Sequence, residues 1–272
     1  MAEPQELDRV RQELLRISKD AGADLAEGAL WISVLETPDL PINDYLGWLD
    51  RTAADAQRTI SRVDAPGLLG MVRDHLKFRG DDQNYYDARN SCLDQVIDRR
   101  RGIPITLSLI YLALAIRLGE DAAGVNAPGH FLVRHGDTIV DPFRGALMSR
   151  SAFANHLEGL GLPKPSEQAD QLLAQPAGHR SILARMLVNL RGIHLRSQNY
   201  PKCLAVVDLL HHLDPENPGW MRERGLIYRQ LDCNDQARSD LERYLLSSPP
   251  PKEAETIREL IISMEEKPRV LH

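Results

Sequence analysis

Four residues in the middle of the chain, Thr106, Ser108, His130 and Asp141, are of the types that carry out nucleophilic catalysis. A hydroxyl nucleophile needs a base within hydrogen-bonding distance, and a carboxylate beside that base holds it in the correct tautomer. Histidine and aspartate can supply the base and the carboxylate. These residue types therefore predict hydrolysis or acyl transfer if the fold brings one of the hydroxyls to His130.

The histidine and the aspartate lie on two short runs of β-type residues, 130–135 and 138–141, that a Gly-Asp pair separates. This pattern predicts a hairpin with a two-residue turn. Because side chains alternate between the two faces of a strand, His130 and Asp141 share a face and are diagonal cross-strand neighbours. We therefore expect their imidazole and carboxylate to be in contact, while Phe131 faces an apolar layer.

Both hydroxyl candidates lie in a nearly continuous apolar segment, RRRGIPITLSLIYLALAIRLG. Pro104 suits the first turn of a helix, and Gly119 suits its end. The apolar residues 103–118 are fewer than the about 20 that a membrane-spanning helix needs, so we expect a core helix. A hydroxyl in a buried helix often bonds to nearby backbone, which is the structural alternative for Thr106 and Ser108.

Polar residues beside this helix are candidates for ligand binding. Arg99, Arg100 and Arg101 are expected to be the solvated end of a helix over 90–100, where positive charge is favourable. The alternative is that one of them helps to hold an anion at the start of the next helix. Asn126 is a further ligand-binding candidate, expected at the edge of a cleft beside His130, although turn formation also explains its residue type.

The composition excludes several classes of protein. Of 272 residues, 43% are hydrophobic and 26% are charged, which is typical of a soluble globular protein. The net charge of −6 shows no overall basic excess, so we expect no nucleic-acid partner. Three widely spaced cysteines form neither a disulfide framework nor a zinc motif, and the N-terminal segment MAEPQELDRVRQELLRI lacks the apolar core of a signal peptide. We expect a cytoplasmic protein without cofactor or metal.

Patterns along the chain predict four parts. Residues 1–80 carry amphipathic helical patterns and form a helical subdomain, and no strand is expected before Gly119. Residues 81–160 contain the apolar helix and the hairpin and form the central core. Residues 161–180 are rich in proline and glycine and are expected to be a linker, and 181–272 form a C-terminal helical domain.

The C-terminal domain contains an internal repeat, since LVNLRGIHLRSQNYPKCLAVVDLLHHLDP aligns with MRERGLIYRQLDCNDQARSDLERYLLSSP at an offset of 34 residues. The matched pairs are Leu187 and Met221, His194 and Tyr228, Cys203 and Ala237, Val207 and Leu241, and Pro215 and Pro249. This period is typical of tetratricopeptide repeats. We expect two repeats and a capping helix over 252–265, with a concave surface for a protein or peptide partner.

Three motifs carry a resemblance to a known family: NSCLDQVIDRRRGIPITLSLIYLALAIRLG, GVNAPGHFLVR and VDPF. With the repeats, they make the chain similar to the SirB-type transglutaminase-like/tetratricopeptide proteins of bacteria. The resemblance implies an α+β fold that is mostly α, in which a papain-like core holds a small antiparallel sheet. A helical subdomain precedes this core, and the repeats follow it.

The resemblance also implies a catalytic frame of Cys, His and Asp. In the wider superfamily a Cys begins a buried helix, where the helix dipole and a neighbouring imidazole lower the pKa of its thiol. His130 and Asp141 match the His and the Asp, and the helix is 104–118. The nucleophile position falls at or beside Pro104, where there is no Cys, and Cys92 lies twelve residues earlier.

These features favour a non-catalytic regulatory protein, a pseudoenzyme that binds a protein or peptide through its repeats. The alternative is a hydrolase or acyltransferase that uses Thr106 or Ser108 with His130 and Asp141. A third interpretation is a sensor of a small anion or peptide, which would use His130 and the arginines without turnover.

Overall fold

A computed structural model describes residues 4–265 of the chain. The ends of the first and last predicted domains, residues 1–3 and 266–272, lie outside the described residues. The chain divides into two compact units between Met186 and Leu187. The fold is α+β and mostly α, as predicted, since helices dominate both units and strands occur only in the first within the described residues.

Over its described residues, 4–186, the first unit contains eight complete α-helices and the beginning of a ninth. The helices are α1 (Pro4–Lys19), α2 (Leu25–Ser33), α3 (Ile42–Thr59), α4 (Ala65–Gly70), α5 (Leu93–Arg99), α6 (Pro104–Arg117), α7 (Arg150–Gly159), α8 (Pro165–Ala174) and α9 (His179–Arg196). A π-helical turn, Met71–His75, continues α4, and a 3₁₀ turn, Ala88–Asn90, precedes α5. Within residues 4–265, no helix combines the length and the apolar character that crossing a bilayer needs.

Helix α6 is the central helix of this unit. Pro104 is its first residue and follows the extended Ile103, and Gly119 follows its end with φ +78°. Every residue from Pro104 to Ala115 is buried. The predicted core helix is therefore confirmed, with the proline and the glycine at its two ends.

Two sheets belong to the first unit. The strands are β1 (Arg79–Gly80), β2 (Arg101–Gly102), β3 (Ala122–Val125), β4 (Leu132–His135), β5 (Thr138–Asp141) and β6 (Ala146–Met148). Strands β3 to β6 form an antiparallel sheet in sequence order, and β1 pairs with β2 in parallel. The expectation of no strand before Gly119 is wrong, because a two-residue strand that pairs 22 positions away leaves no alternation in the sequence.

The predicted hairpin is confirmed, since His135 pairs with Thr138 across the two-residue turn. Leu132 and Ile139 pack in a buried cluster that also contains residues of α7 and α8. Helix α8 lies inside the predicted linker, 161–180, and its Ala169 is fully buried. This helix has few large apolar residues, so the sequence gives no clear sign of it. Ala169 is buried because α8 packs on residues distant in the chain.

In its described residues, the second unit consists of α-helices joined by short loops. After the end of α9, it contains α10 (Tyr200–Leu213), α11 (Gly219–Gln230), α12 (Asn234–Leu246) and α13 (Pro251–Glu265). Helices α10 and α12 begin 34 residues apart, and the equivalent small residues Cys203 and Ala237 are fully buried. The helices thus follow the period that the sequence predicts.

Candidate functional site

The His130–Asp141 pair is the centre of the candidate site. His130 lies just before β4, and Asp141 is the last residue of β5. Nε2 of the imidazole is 2.9 Å from Oδ2 of the carboxylate, and Asp141 is only 1% exposed. The contact expected from the hairpin register is present.

Asp141 is held as a carboxylate by two hydrogen bonds. His130 bonds to Oδ2, and the backbone N–H of Arg144 donates to Oδ1 at 3.0 Å. Burial by itself raises the pKa of Asp141, but these hydrogen bonds outweigh it and the resulting pKa is below the usual value. The carboxylate therefore stays charged at neutral pH and orients the imidazole.

Aromatic rings surround the imidazole. The ring of Phe143 lies 6.1 Å from that of His130, and the ring of His156 lies 6.5 Å away, both edge to face. Nε2 of His156 is buried and has no hydrogen-bond partner among the described residues. Burial, followed by the charge of Arg144, lowers the pKa of His156, so this second histidine is neutral near pH 7. Sequence reasoning missed His156, because α7 brings it here without a local motif.

The two hydroxyl candidates bond to backbone groups. Thr106 Oγ1 accepts a hydrogen bond from the backbone N–H of Ile103 at 3.1 Å and lies 2.8 Å from the carbonyl oxygen of Asn90. Ser108 Oγ lies 3.3 Å from the carbonyl oxygen of Phe131 and can donate to it. Among residues 4–265, neither hydroxyl hydrogen-bonds to a side chain, so the contacts observed are those of the structural alternative.

Replacing Thr106 by valine is expected to lower the free energy of unfolding by about 1–3 kcal/mol, because it leaves the buried N–H of Ile103 without its acceptor. Urea denaturation followed by circular dichroism measures this change. Ser108→Ala is the control and should cost less, since its single bond is longer. A Thr106→Val variant as stable as the wild type would show that the hydroxyl has no structural role.

The first turn of α6 carries Pro104 where the resemblance places the nucleophile. Cys92 is instead the residue that precedes α5, and it is completely buried. Among the described residues, no group of three or more His, Cys, Asp and Glu side chains could hold a metal ion.

The three arginines before α6 point into different environments. Arg99 donates to Asn90 Oδ1 at 3.1 Å, whereas the guanidinium of Arg100 stacks over Trp48 and Phe78 at 4.7 and 4.8 Å from the ring centroids. Arg101 is exposed on β2. The structure does not bring these side chains together.

Asn126 lies at the edge of β3 and bonds to helix α9. Its amide nitrogen donates to Ser181 Oγ at 3.2 Å, and its amide oxygen accepts a bond from Arg185. Arg185 also donates to the carbonyl of Ala127 at 3.1 Å and lies over the ring of Phe131. Asn126 thus joins β3 to α9 through side-chain hydrogen bonds.

The second unit carries a groove of about 220 Å³ between α9, the start of α10 and α11. Its apolar residues are Leu195, Tyr200, Leu226 and Ile227. Two ion pairs, Arg191–Glu223 and Arg222–Glu253, involve residues of its wall. We call this feature the repeat groove.

Two family models match the chain. The model of the transglutaminase-like superfamily matches residues 43–188, and that of the tetratricopeptide repeat matches 190–261. The first match includes the whole candidate site, and the second includes the repeat groove. No solved structure matches the chain significantly.

Curated relatives match over nearly the whole chain. A UPF0162 protein of Xylella fastidiosa is 33% identical over 259 residues, which is 90% of this chain and 91% of the relative. A UPF0162 protein of Pseudomonas aeruginosa is 34% identical over 236 residues, 84% of this chain and 86% of the relative. Protein SirB1 of Salmonella typhimurium is 26% identical over 261 residues, 92% of this chain and 96% of the relative.

Proposed function

Because this chain belongs to the transglutaminase-like superfamily and carries tetratricopeptide repeats, we propose that it is a non-catalytic, cytoplasmic regulatory protein that binds a protein or peptide through the repeat groove. The observation that carries this proposal is the set of hydrogen bonds that Thr106 and Ser108 make. Their hydroxyls bond to backbone groups, while the first turn of α6 holds a proline in place of a thiol.

The contacts of the site support the absence of turnover. His130 is oriented by a charged carboxylate, but a base accelerates a reaction only when it can reach the proton of the nucleophile. To act as a nucleophile, Thr106 would have to leave a buried hydrogen bond to the Asn90 carbonyl, which would leave that carbonyl unpaired. These hydrogen bonds are what a structural core needs, and they do not place a nucleophile beside His130.

The repeat groove supports the interaction role. It combines exposed apolar surface, such as Leu195 at 40% exposure, with charged residues at its wall. Helical grooves with this composition bind peptides or helices by burying apolar side chains, while charged residues select the partner.

The absence of catalysis is tested by labelling the full-length chain with an electrophilic acyl probe, such as a fluorophosphonate. We expect the folded wild type and a His130→Ala variant to show the same background labelling. Labelling of Thr106 or Ser108 in the wild type that disappears in His130→Ala would contradict the proposal and favour the hydrolase.

The interaction role is tested by capture of partners with the full-length chain and two matched variants. Leu195→Asp places a charge in the groove, whereas Leu246→Asp places one at the 85% exposed end of α12. We expect Leu195→Asp to lose the captured proteins at least tenfold and Leu246→Asp to retain them. Partners that Leu195→Asp retains in full would place binding outside the groove.

A further inference from the structure

A second cavity of about 460 Å³ lies in the first unit, and it shares no lining residue with the candidate site. One wall is formed by residues 109–117 of α6, and another is formed by residues 21–26, the end of the loop between α1 and α2 and the start of α2. Its volume is within the range of pockets that hold small molecules. Neither the proposed function nor the family relationship gives it a role.

The wall on α6 is an apolar stripe. Leu109, Leu112, Ala113 and Ile116 follow one another at helical spacing and therefore lie on one face. The first three are buried, but Ile116 is 56% exposed although it belongs to a helix that is buried from Pro104 to Ala115. The stripe thus ends in apolar surface that is open to the cavity.

The polar side of the cavity centres on an ion pair. Arg117 donates through Nε to Asp50 Oδ1 at 2.7 Å, through Nη2 to Asp24, and through Nη1 to the carbonyl of Ala113 at 3.2 Å. Three of the five guanidinium N–H groups therefore already donate, and both carboxylates pair with the charge of Arg117. With two carboxylates and one guanidinium, the charged lining has a net charge of −1.

Within residues 4–265, the lining also carries two unengaged hydrogen-bond acceptors, one on His179 and one on Asp50. Nδ1 of His179 lies 3.2 Å from the carbonyl oxygen of Ile17, and because a carbonyl only accepts, Nδ1 carries the proton. In the neutral ring Nε2 is then an acceptor. Asp50 uses only Oδ1, so Oδ2 of this exposed carboxylate is a second acceptor among the described residues.

From this combination we propose that the cavity binds a small amphipathic amine. The apolar body of the ligand lies on the α6 stripe, and its ammonium group donates to the open acceptors of Asp50 and His179. A carboxylate ligand is disfavoured, because the two carboxylates of Asp24 and Asp50 outnumber the single guanidinium of Arg117, whose charge they already pair with. An alcohol with the same alkyl chain as the amine would make the same apolar contact, but it would lack the attraction between the ammonium group and Asp50.

The proposal is tested by titrating the ¹⁵N-labelled full-length chain at pH 7 with n-hexylamine, hexan-1-ol and hexanoate. We expect saturable shifts of the amide signals of the cavity residues with n-hexylamine, with a Kd on the order of 1–10 mM for a ligand of this size. Hexanoate should bind at least tenfold more weakly. Equal affinity for the three probes, or no saturable shift with n-hexylamine, would overturn the proposal.

The matched variants are Asp50→Asn and Asp55→Asn, both on exposed positions of α3, with 67% and 59% of the side chain exposed. Asp50→Asn is expected to weaken n-hexylamine binding at least fivefold and to strengthen hexanoate binding, since it removes a negative charge and releases Arg117. Asp55→Asn should change neither. An Asp50→Asn variant that binds n-hexylamine like the wild type would show that Asp50 does not select the ligand.

Discussion

Replacing Arg224 by methionine is expected to lower the free energy of unfolding of the second unit by about 3–5 kcal/mol, because it leaves buried charges uncompensated. Arg224 holds Asp240 through two parallel hydrogen bonds, at 2.7 and 2.9 Å, and donates to Asp208 at 2.6 Å. Asp240 is almost completely buried. The hydrogen bonds that Arg224 donates to Asp240 are the main reason that the pKa of Arg224 is raised, so the guanidinium is charged at every accessible pH.

The measurement is urea denaturation of the full-length chain, with the helices of the second unit followed by hydrogen exchange. Arg229→Met, an exposed position on the same helix, is the control and should change stability by less than about 0.5 kcal/mol.

A triple variant separates charge from packing. Arg224→Met combined with Asp208→Leu and Asp240→Leu removes all three charges, and we expect it to recover most of the lost stability. A single Arg224→Met variant within about 1 kcal/mol of the wild type would mean that the two carboxylates do not depend on this arginine.

Replacing Asp141 by asparagine is expected to lower the free energy of unfolding by about 2–3 kcal/mol at pH 7, because the buried carboxylate receives charge-assisted hydrogen bonds from His130 and the Arg144 N–H. The folded chain holds the pKa of Asp141 below its usual value. The contribution of the Asp141 carboxylate to the free energy of unfolding is therefore complete above the pKa of the unfolded chain, about 3.9. It is lost as the pH falls through the pKa of the folded chain.

The difference in the free energy of unfolding between wild type and Asp141→Asn should accordingly stay unchanged from pH 7 down to about pH 4 and shrink as the pH is lowered further, towards about pH 3. Urea denaturation at several pH values measures it, and Asp137→Asn, in the exposed hairpin turn, is the control. A difference that stays constant over this range would show that the charge of Asp141 does not stabilise the fold. The result also bears on function, since a strongly stabilising His130–Asp141 pair is useful to the chain without any catalysis.

Local patterns in the sequence predict several of the elements that position the site. The His130–Asp141 contact follows from a two-residue turn and the alternation of side chains, both of which act within twelve residues. The boundaries of α6 follow from Pro104 and Gly119 in the same way. The helical repeat is visible because the same packing requirement recurs every 34 residues.

The sequence alone is therefore enough to predict the hairpin, the core helix, the 34-residue period and the residue types at the centre of the site, but not the short strands β1 and β2 or helix α8. The partners of those residues depend on how distant segments pack together. Thr106 bonds to a carbonyl 16 residues away, and Arg100 stacks on aromatic rings from α3 and from the segment before β1. Helix α8 packs through its buried Ala169 on residues distant in the chain. The physical reason is that side-chain partners come from three-dimensional packing, whereas periodicity and turn chemistry are properties of a short stretch of backbone.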